Sequence, residues 1–117
     1  MRVQIVARQC EVPPVVRDRT QEQIPRLARF DQRLSSGEVI FEEQRHLKKV
    51  EGVLSVDGQE PVVARGEGTE FRPALDQMLE RLQRILRRRR DQSVSHKGPK
   101  PAELVEASPE LPLDEAD

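Results

Sequence analysis

Arginine is concentrated at the end of the longest amphipathic segment of the chain, which runs QMLERLQRILRRRR over residues 77–90. Guanidinium groups bind phosphate oxygens in a bidentate fork and stack on nucleobases, so the chemistry open to this cluster is anion binding. Cations near a helix C-terminus also suit the helix dipole, which accounts for one or two arginines but not for all of them. On a helix with Leu82 at the centre of the apolar side, the arginines occupy two flanks. Arg81, Arg84 and Arg88 share one flank, and Arg87 and Arg90 lie on the other.

A second arginine stripe is predicted on an earlier helix, whose apolar side is centred on Leu27. It carries Arg19, Arg26, Arg29 and Arg33. If both helices pack on one face of a sheet, the two stripes form a single electropositive surface. The alternative is an ordinary solvated helix surface in which arginines pair with acids four residues away, as Glu80 does with Arg84. The later stripe has too few acids beside it for full pairing, so nucleic-acid binding remains a hypothesis beside this alternative.

The charges of the chain are segregated along its length, although the net charge of the 117 residues is only −1. Residues 91–117 contain seven acids and two lysines, a balance of −5, whereas residues 1–90 contain 18 basic and 14 acidic residues, a balance of +4. Residues 91–117 are also rich in Pro and Ser and have no periodicity, which predicts a disordered acidic tail. A basic body over residues 1–90 favours a polyanionic partner for that body.

The aromatic residues favour one mode of nucleic-acid recognition over another. The chain has three phenylalanines and no Trp or Tyr, and Phe30, Phe41 and Phe71 all fall at apolar positions. Stacking on unpaired bases needs exposed aromatic rings. The sequence therefore predicts recognition of the phosphate backbone and of shape, with binding that weakens steeply as salt is added.

Several classes of protein do not fit the composition. There is no run of eighteen apolar residues and no signal-peptide pattern, so we expect a cytoplasmic protein without a membrane segment. The single cysteine, Cys10, is expected to be a small buried apolar residue. Together with the only histidines, His46 and His96, it makes no metal-ligand spacing. No arrangement of nucleophile and base is present, so we expect no enzyme activity, metal, cofactor or small-molecule substrate.

The apolar spacing predicts an α+β fold with the element order β-α-β-β-β-α. Residues 2–8 alternate as a half-buried strand, and the three-to-four spacing from Val16 to Leu34 predicts a helix bent at Pro25 and ended by residues 35–37. Three strands follow, and Asp57-Gly58 indicates a hairpin turn. The residues that show strand-like patterning are Val39, Phe41, Val50, Leu54, Val56 and Val63. The last helix carries an apolar face of Phe71, Leu75, Met78, Leu79, Leu82, Ile85 and Leu86.

Three segments resemble a known family when their order and spacing are taken together. They are VQIVARQCEVPP at 3–14, IPRLARFD at 24–31 and EFRPALD at 70–76. Over residues 2–90 the chain is similar to the ribosome hibernation promoting factors, and its tail resembles that of the short members of the protein Y type. Arg72 and Pro73 depart from the family pattern, which has Tyr at the first of these positions, and Pro25 replaces a helix-forming residue.

The resemblance implies a fold, a partner and a set of binding residues. The fold would be a two-layer sandwich similar to a double-stranded-RNA-binding domain, with two helices on one face of a four-stranded sheet. The protein would be monomeric when free, and would occupy the decoding channel of the small ribosomal subunit, contact ribosomal RNA and block mRNA and tRNA, inhibiting translation in stationary phase or stress. With the helical stripes, it gives these candidate RNA-binding residues: Arg26, Arg29, Arg33, Arg81, Arg84, Arg87 and Arg88.

Two other functions remain open at this point. Arg72, Pro25 and the low net charge motivate a diverged family member that acts as a protein-interaction or regulatory module, without ribosome binding. A generic binder of double-stranded RNA would instead show equal affinity for any long duplex.

Overall fold

The computed structural model describes residues 1–95, with the side chains of residues 1–92. Its strands and helices follow the predicted order, with one short 3₁₀ helix added. The elements are β1 (Arg2–Arg8), α1 (Pro14–Arg26), the 3₁₀ helix (Leu27–Arg29), β2 (Leu34–Gln44), β3 (Leu47–Val56), β4 (Val62–Gly68) and α2 (Phe71–Ser95). From residue 96 onward, the predicted acidic tail lies outside the residues that the structure describes. By contacts, the chain divides into a unit of Met1–Arg87 and a second unit that begins at Arg88.

The four strands form one mixed sheet in the order β1-β2-β3-β4. β1 and β2 are parallel, with Ile5 opposite Val39, and this pairing needs a crossover connection, which α1 supplies. The other two pairings are antiparallel, with Phe41 opposite Val50 and Leu54 opposite Val62. The predicted α+β class and the four-stranded sheet with two helices are confirmed.

Both helices pack on the same face of the sheet. Ile24 of α1 lies over Gly37 of β2, and Met78 of α2 lies over Gly52 of β3. The approach is closest at Gly66 of β4, where an added Cβ atom would overlap the backbone of Ala74 in α2. Only glycine permits this contact, so the distance between α2 and the sheet is set at residue 66.

The apolar face of α2 is buried as predicted and provides much of the core. Phe71, Leu75, Met78, Leu82 and Leu86 are each no more than 5% exposed. Opposite them, the ring of Phe41 is fully buried and meets the ring of Phe71 edge to face, with centroids 5.5 Å apart. Within residues 1–95, no helix has the length and apolar character that crossing a membrane requires.

The first helix is shorter than its apolar spacing predicts. α1 ends at Arg26, and Leu34 begins β2 instead of ending a helix. The chain turns at Asp31, whose backbone carbonyl accepts a hydrogen bond from the Leu34 N–H at 3.1 Å. The predicted helix was too long because Leu34 is a buried residue of a strand. Apolar periodicity alone does not distinguish this position from one more helical turn. The small residues 35–37, taken as a helix stop, belong to the strand.

The two hairpins differ from the sequence prediction in their detail. Gly58 has φ 76°, and the Gln59 N–H bonds the Val56 carbonyl at 3.0 Å, so the turn at this position is confirmed. However, the connection between β3 and β4 spans residues 57–61, and the two-residue connection is Arg45-His46, between β2 and β3. His46 is therefore in a turn.

Val63 lies in a strand, β4, as its pattern predicts, and its side chain faces away from the helices. Val63 is 44% exposed, whereas Val62 and Ala64 face the helices. Two adjacent valines leave the choice of face open, and the close approach of α2 selects small residues at 64 and 66 for the inner face.

Candidate nucleic-acid interface

The helices α1 and α2 lie side by side and run in the same direction. In their early turns, Arg19 Nε of α1 donates to Asp76 Oδ1 of α2 at 2.8 Å. Towards the other end, the guanidinium carbon of Arg87 lies 5.6 Å from the ring centroid of Phe30, which follows the 3₁₀ helix. These two contacts fix which flank of each helix faces the other.

A groove of about 200 Å³ lies between the helices. Leu27 and Leu79, both buried, form its apolar floor. Its charged and amide lining comes from Arg19, Gln23, Arg26 and Arg29 on one side and from Asp76, Glu80 and Gln83 on the other. The arginine stripe of α1 therefore faces α2, and a mixed flank of α2 faces it.

Arg19 joins the two helices more tightly than any other charged side chain of this groove. Its side chain is 31% exposed, and its partner Asp76 also lies near a second cation, with Arg72 Nε 3.9 Å from Oδ2. The sequence placed Arg19 on the basic stripe but gave no sign of this ion pair. Because Arg19 is paired with a carboxylate, it links the two helices and is not free to bind phosphate.

Arg26 and Arg29 lie where the stripe becomes exposed. Arg26 pairs with Glu22 at 3.2 Å, but both side chains are more than half exposed. Exposed pairs of this kind contribute little and are readily exchanged for another anion. Arg29 is exposed and its guanidinium carbon lies 5.0 Å from the Phe30 centroid.

Arg33 lies apart from these residues, in the turn before β2. Its guanidinium group donates to both carboxylate oxygens of Asp31, at 3.1 and 3.2 Å, and its carbonyl accepts from the Asp57 N–H at 2.9 Å. The expectation that Arg33 continues the helical stripe is therefore wrong, because the helix has ended before it. Its role in RNA binding stays a prediction.

The predicted arginines of α2 point to different surroundings. Arg81 Nη1 donates to the Arg65 carbonyl of β4 at 2.7 Å, on the side of α2 away from α1. Arg84 pairs with Glu80 at 3.3 Å, and both side chains are well exposed. Arg88 is exposed and belongs to the second unit.

The single merged surface expected from the sequence is thus not what the contacts show. Arg26 and Arg29 line the groove, and Arg87 lies over the same Phe30 ring as Arg29 at one end of the helix layer. We call these three residues the groove arginines. Arg81 belongs to the opposite flank of α2, over β4. A helical wheel gives each flank relative to the core, but it does not say which flank faces the neighbouring helix, and this is why the prediction failed.

Neither a thiol nucleophile nor a group of metal ligands lies beside the groove arginines within the described residues. Cys10 is half-buried, and its Sγ lies 3.4 Å from the Phe41 carbonyl as a weak donor. No group of three His, Cys, Asp or Glu side chains that could hold a metal occurs in the part of the chain that the structure describes. His96 lies outside that part.

The fold and the match of the sequence together place the protein in a family. Residues 3–93 match the model of the family described as Sigma 54 modulation protein / S30EA ribosomal protein, and the chain belongs to this family. The resemblance found in the sequence is confirmed, and membership agrees with the prediction that the protein is not an enzyme.

Individual relatives are more specific. The ribosome hibernation promoting factor of Azotobacter vinelandii is 33% identical over 104 residues, covering 88% of this chain and 96% of the relative. A ribosomal subunit interface protein from Coxiella burnetii has a TM-score of 0.68 at 19% identity, over 78% of this chain and 99% of that one. The N-terminal domain of Thermus thermophilus Protein Y has a TM-score of 0.67 at 20% identity, over 75% and 98%. At these identities, the two structures show a shared fold.

Proposed function

We propose that the protein is a ribosome hibernation factor that binds the small ribosomal subunit through its RNA. It occupies the decoding channel, excludes mRNA and tRNA, and inhibits translation in stationary phase or stress. The observation that carries the proposal is the gathering of Arg26, Arg29 and Arg87 from three elements at one end of the helix layer. The name of the Azotobacter relative, matched over nearly its whole length, supports the same function.

The binding mechanism is electrostatic and steric, and no covalent bond is made or broken. Phosphate groups replace water around the exposed guanidinium groups and displace Glu22 from Arg26, because that pair is solvated and weak. Release of counterions from RNA then supplies much of the binding free energy. Such a protein acts in the cytoplasm, where it is a monomer until it meets a ribosome.

Cosedimentation with purified small subunits tests this function. At low salt the protein is expected to pellet with the subunits, and at high salt to remain in the supernatant. Subunits that already carry mRNA and tRNA are expected to bind much less of it, because the channel is filled. A folded sample that does not pellet with free subunits at low salt would sink the proposal.

The family description also names modulation of sigma 54, and this supports a regulatory protein-interaction module as the second candidate. Pull-down with the groove arginines replaced separates the two functions. A ribosome factor loses small-subunit binding and translation inhibition together, whereas an adaptor keeps its protein partner. Equal affinity for the subunit and for any long RNA duplex would instead indicate a generic duplex binder.

A further inference from the structure

Phe30 lies at the point where α2 meets the end of the 3₁₀ helix. Its ring is half-buried and packs against the hydrophobic core. The guanidinium carbons of Arg29 and Arg87 lie over this ring, 5.0 and 5.6 Å from its centroid. One aromatic side chain therefore contacts two cations that come from different elements of the fold.

Both contacts are within the range in which the negative face of an aromatic ring attracts a guanidinium group. The attraction brings together two groups that repel each other. Within the described part of the chain, neither Arg29 nor Arg87 has a carboxylate partner. Arg26, Arg33 and Arg84, by contrast, each have one.

The arrangement is complete only when an anion lies against both arginines. Guanidinium groups present planar forks of donors that match phosphate oxygens. The ring contacts both of these groups and packs against the core, so little of it is left for base stacking. The chemical class that fits is the phosphodiester backbone of RNA.

We propose that Phe30 is a positioning residue that holds Arg29 and Arg87 together as one phosphate-binding site. This rests on the proposed function, and it adds the aromatic residue through which two of the RNA-binding arginines act. Phe30 itself does not touch the RNA.

Replacing the ring while keeping an apolar side chain tests the proposal. Phe30→Leu is expected to weaken binding to small subunits by about 3- to 10-fold at low salt, because the two arginines are no longer held at one place. The slope of log affinity against log salt should become shallower by about 0.7 to 1.4, the loss of roughly one or two phosphate contacts. Phe30→Trp keeps a ring face and is expected to restore both the affinity and the slope.

Phe71→Leu is the matched control. Phe71 also lies beneath a cation, Lys48 Nζ at 5.5 Å, but it is buried at the start of α2 and contacts neither arginine. Phe71→Leu should lower the melting temperature and leave the slope of log affinity against log salt unchanged. A change of slope in Phe71→Leu equal to that in Phe30→Leu would overturn the positioning role, because ring loss in general would then explain it.

A double-mutant cycle of Arg29 and Arg87, with Phe30 unchanged, tests the proposal even if Phe30→Leu does not fold. Arg29→Gln and Arg87→Gln are expected to be non-additive, with the second substitution costing less once the first is present, because they serve one site. Additive losses overturn the proposal.

Polyuridylate as a second probe separates this proposal from the proposed function. If the protein binds polyuridylate in a way that depends on the Phe30 ring but does not bind subunits, the phosphate-binding site is supported and the ribosomal function is contradicted. Binding to subunits that Phe30→Leu does not alter removes the site and leaves the function. Binding to neither probe removes both.

Discussion

The charged residues on the two faces of the molecule are arranged differently. On the face of the sheet away from the helices, Arg8, Glu42, Lys49 and Glu67 lie in register across all four strands, so that the charge alternates at every step. The neighbouring pair Glu51 and Arg65 is joined at 3.2 Å. On the helix layer, Arg29 and Arg87 share a phenylalanine ring and no acid.

The comparison shows why net charge describes this protein poorly. Acids placed opposite bases across a sheet cancel their field within a few ångströms, whereas cations gathered on one ring add theirs. The balance of the whole chain is −1, yet Arg29 and Arg87 lie together over one ring on the helix layer. Under the proposed function, the distribution over the two faces, and not the total, selects the partner.

The largest difference between the two faces is expected when three positive charges are removed from each face in turn. Arg26→Gln, Arg29→Gln and Arg87→Gln combined should weaken binding to small subunits by roughly 100-fold or more, because three charge-assisted phosphate contacts are lost. Arg2→Gln, Arg8→Gln and Arg65→Gln change the net charge equally on the opposite face and should cost less than about 3-fold. Titration by fluorescence anisotropy measures both. Equal losses would show that only total charge matters.

A change at the sheet can disturb the helix layer selectively. Gly66→Ala should lower the free energy of unfolding by about 3 kcal/mol, because the new methyl group overlaps the backbone of Ala74 and forces α2 away. Chemical denaturation measures the loss. Gly68→Ala is the control, since its nearest neighbour is 3.6 Å from the added carbon, and should change stability by less than about 1 kcal/mol.

The ion pair between the helices distinguishes a structural arginine from the groove arginines. Asp76→Asn should reduce the free energy of unfolding by about 1 kcal/mol, because Arg19 loses its partner across the helices. RNA affinity should stay level or rise up to about 2-fold, since Arg19 then gains freedom to meet a phosphate. Glu22→Gln, which removes the exposed partner of Arg26, should leave stability within about 0.5 kcal/mol. A clear loss of affinity in Asp76→Asn would show that Arg19 is needed in its present position.

The smallest expected effect is on the alternating row of the sheet. Glu42→Gln and Glu67→Gln together leave Arg8 and Lys49 with less compensation. Binding to polyuridylate should rise by less than about 2-fold in low salt, because these cations are dispersed rather than gathered. An increase of 10-fold would mean that the row of acids is what keeps RNA off this face.

The parts of the structure that sequence could predict are those set by long, regular apolar spacing. Leu82 and its neighbours in α2 fall at every third and fourth position over four turns, and only a helix buries them together. Phe41 in β2 has Val39 two positions before it, and this alternation defines the inner face of the strand. The element order and the sheet follow from such segments.

What sequence did not predict depends on contacts between distant residues. The spacing of Leu34 fits a helix and a strand equally well, and the pairing of β2 with β3, in which Leu34 lies opposite Val56, decides between them. Val62 and Val63 are equivalent until α2 approaches β4. The neighbours of Arg81 and Arg87 depend on which flank of α2 faces α1, and only Arg29 could have been linked to Phe30 from sequence, because the two are adjacent.

The connection between β2 and β3 has a practical consequence. Arg45 has φ 61°, a conformation that is unfavourable by about 1 kcal/mol for a residue with a side chain, so the turn itself does not determine how the hairpin pairs. The paired strands on either side do that, from Leu34 to Gln44 and from Leu47 to Val56. Exposed tips of this kind accept added residues. A fluorophore or affinity tag inserted between Arg45 and His46 should therefore report on the protein in cells without reaching the arginines that precede β2.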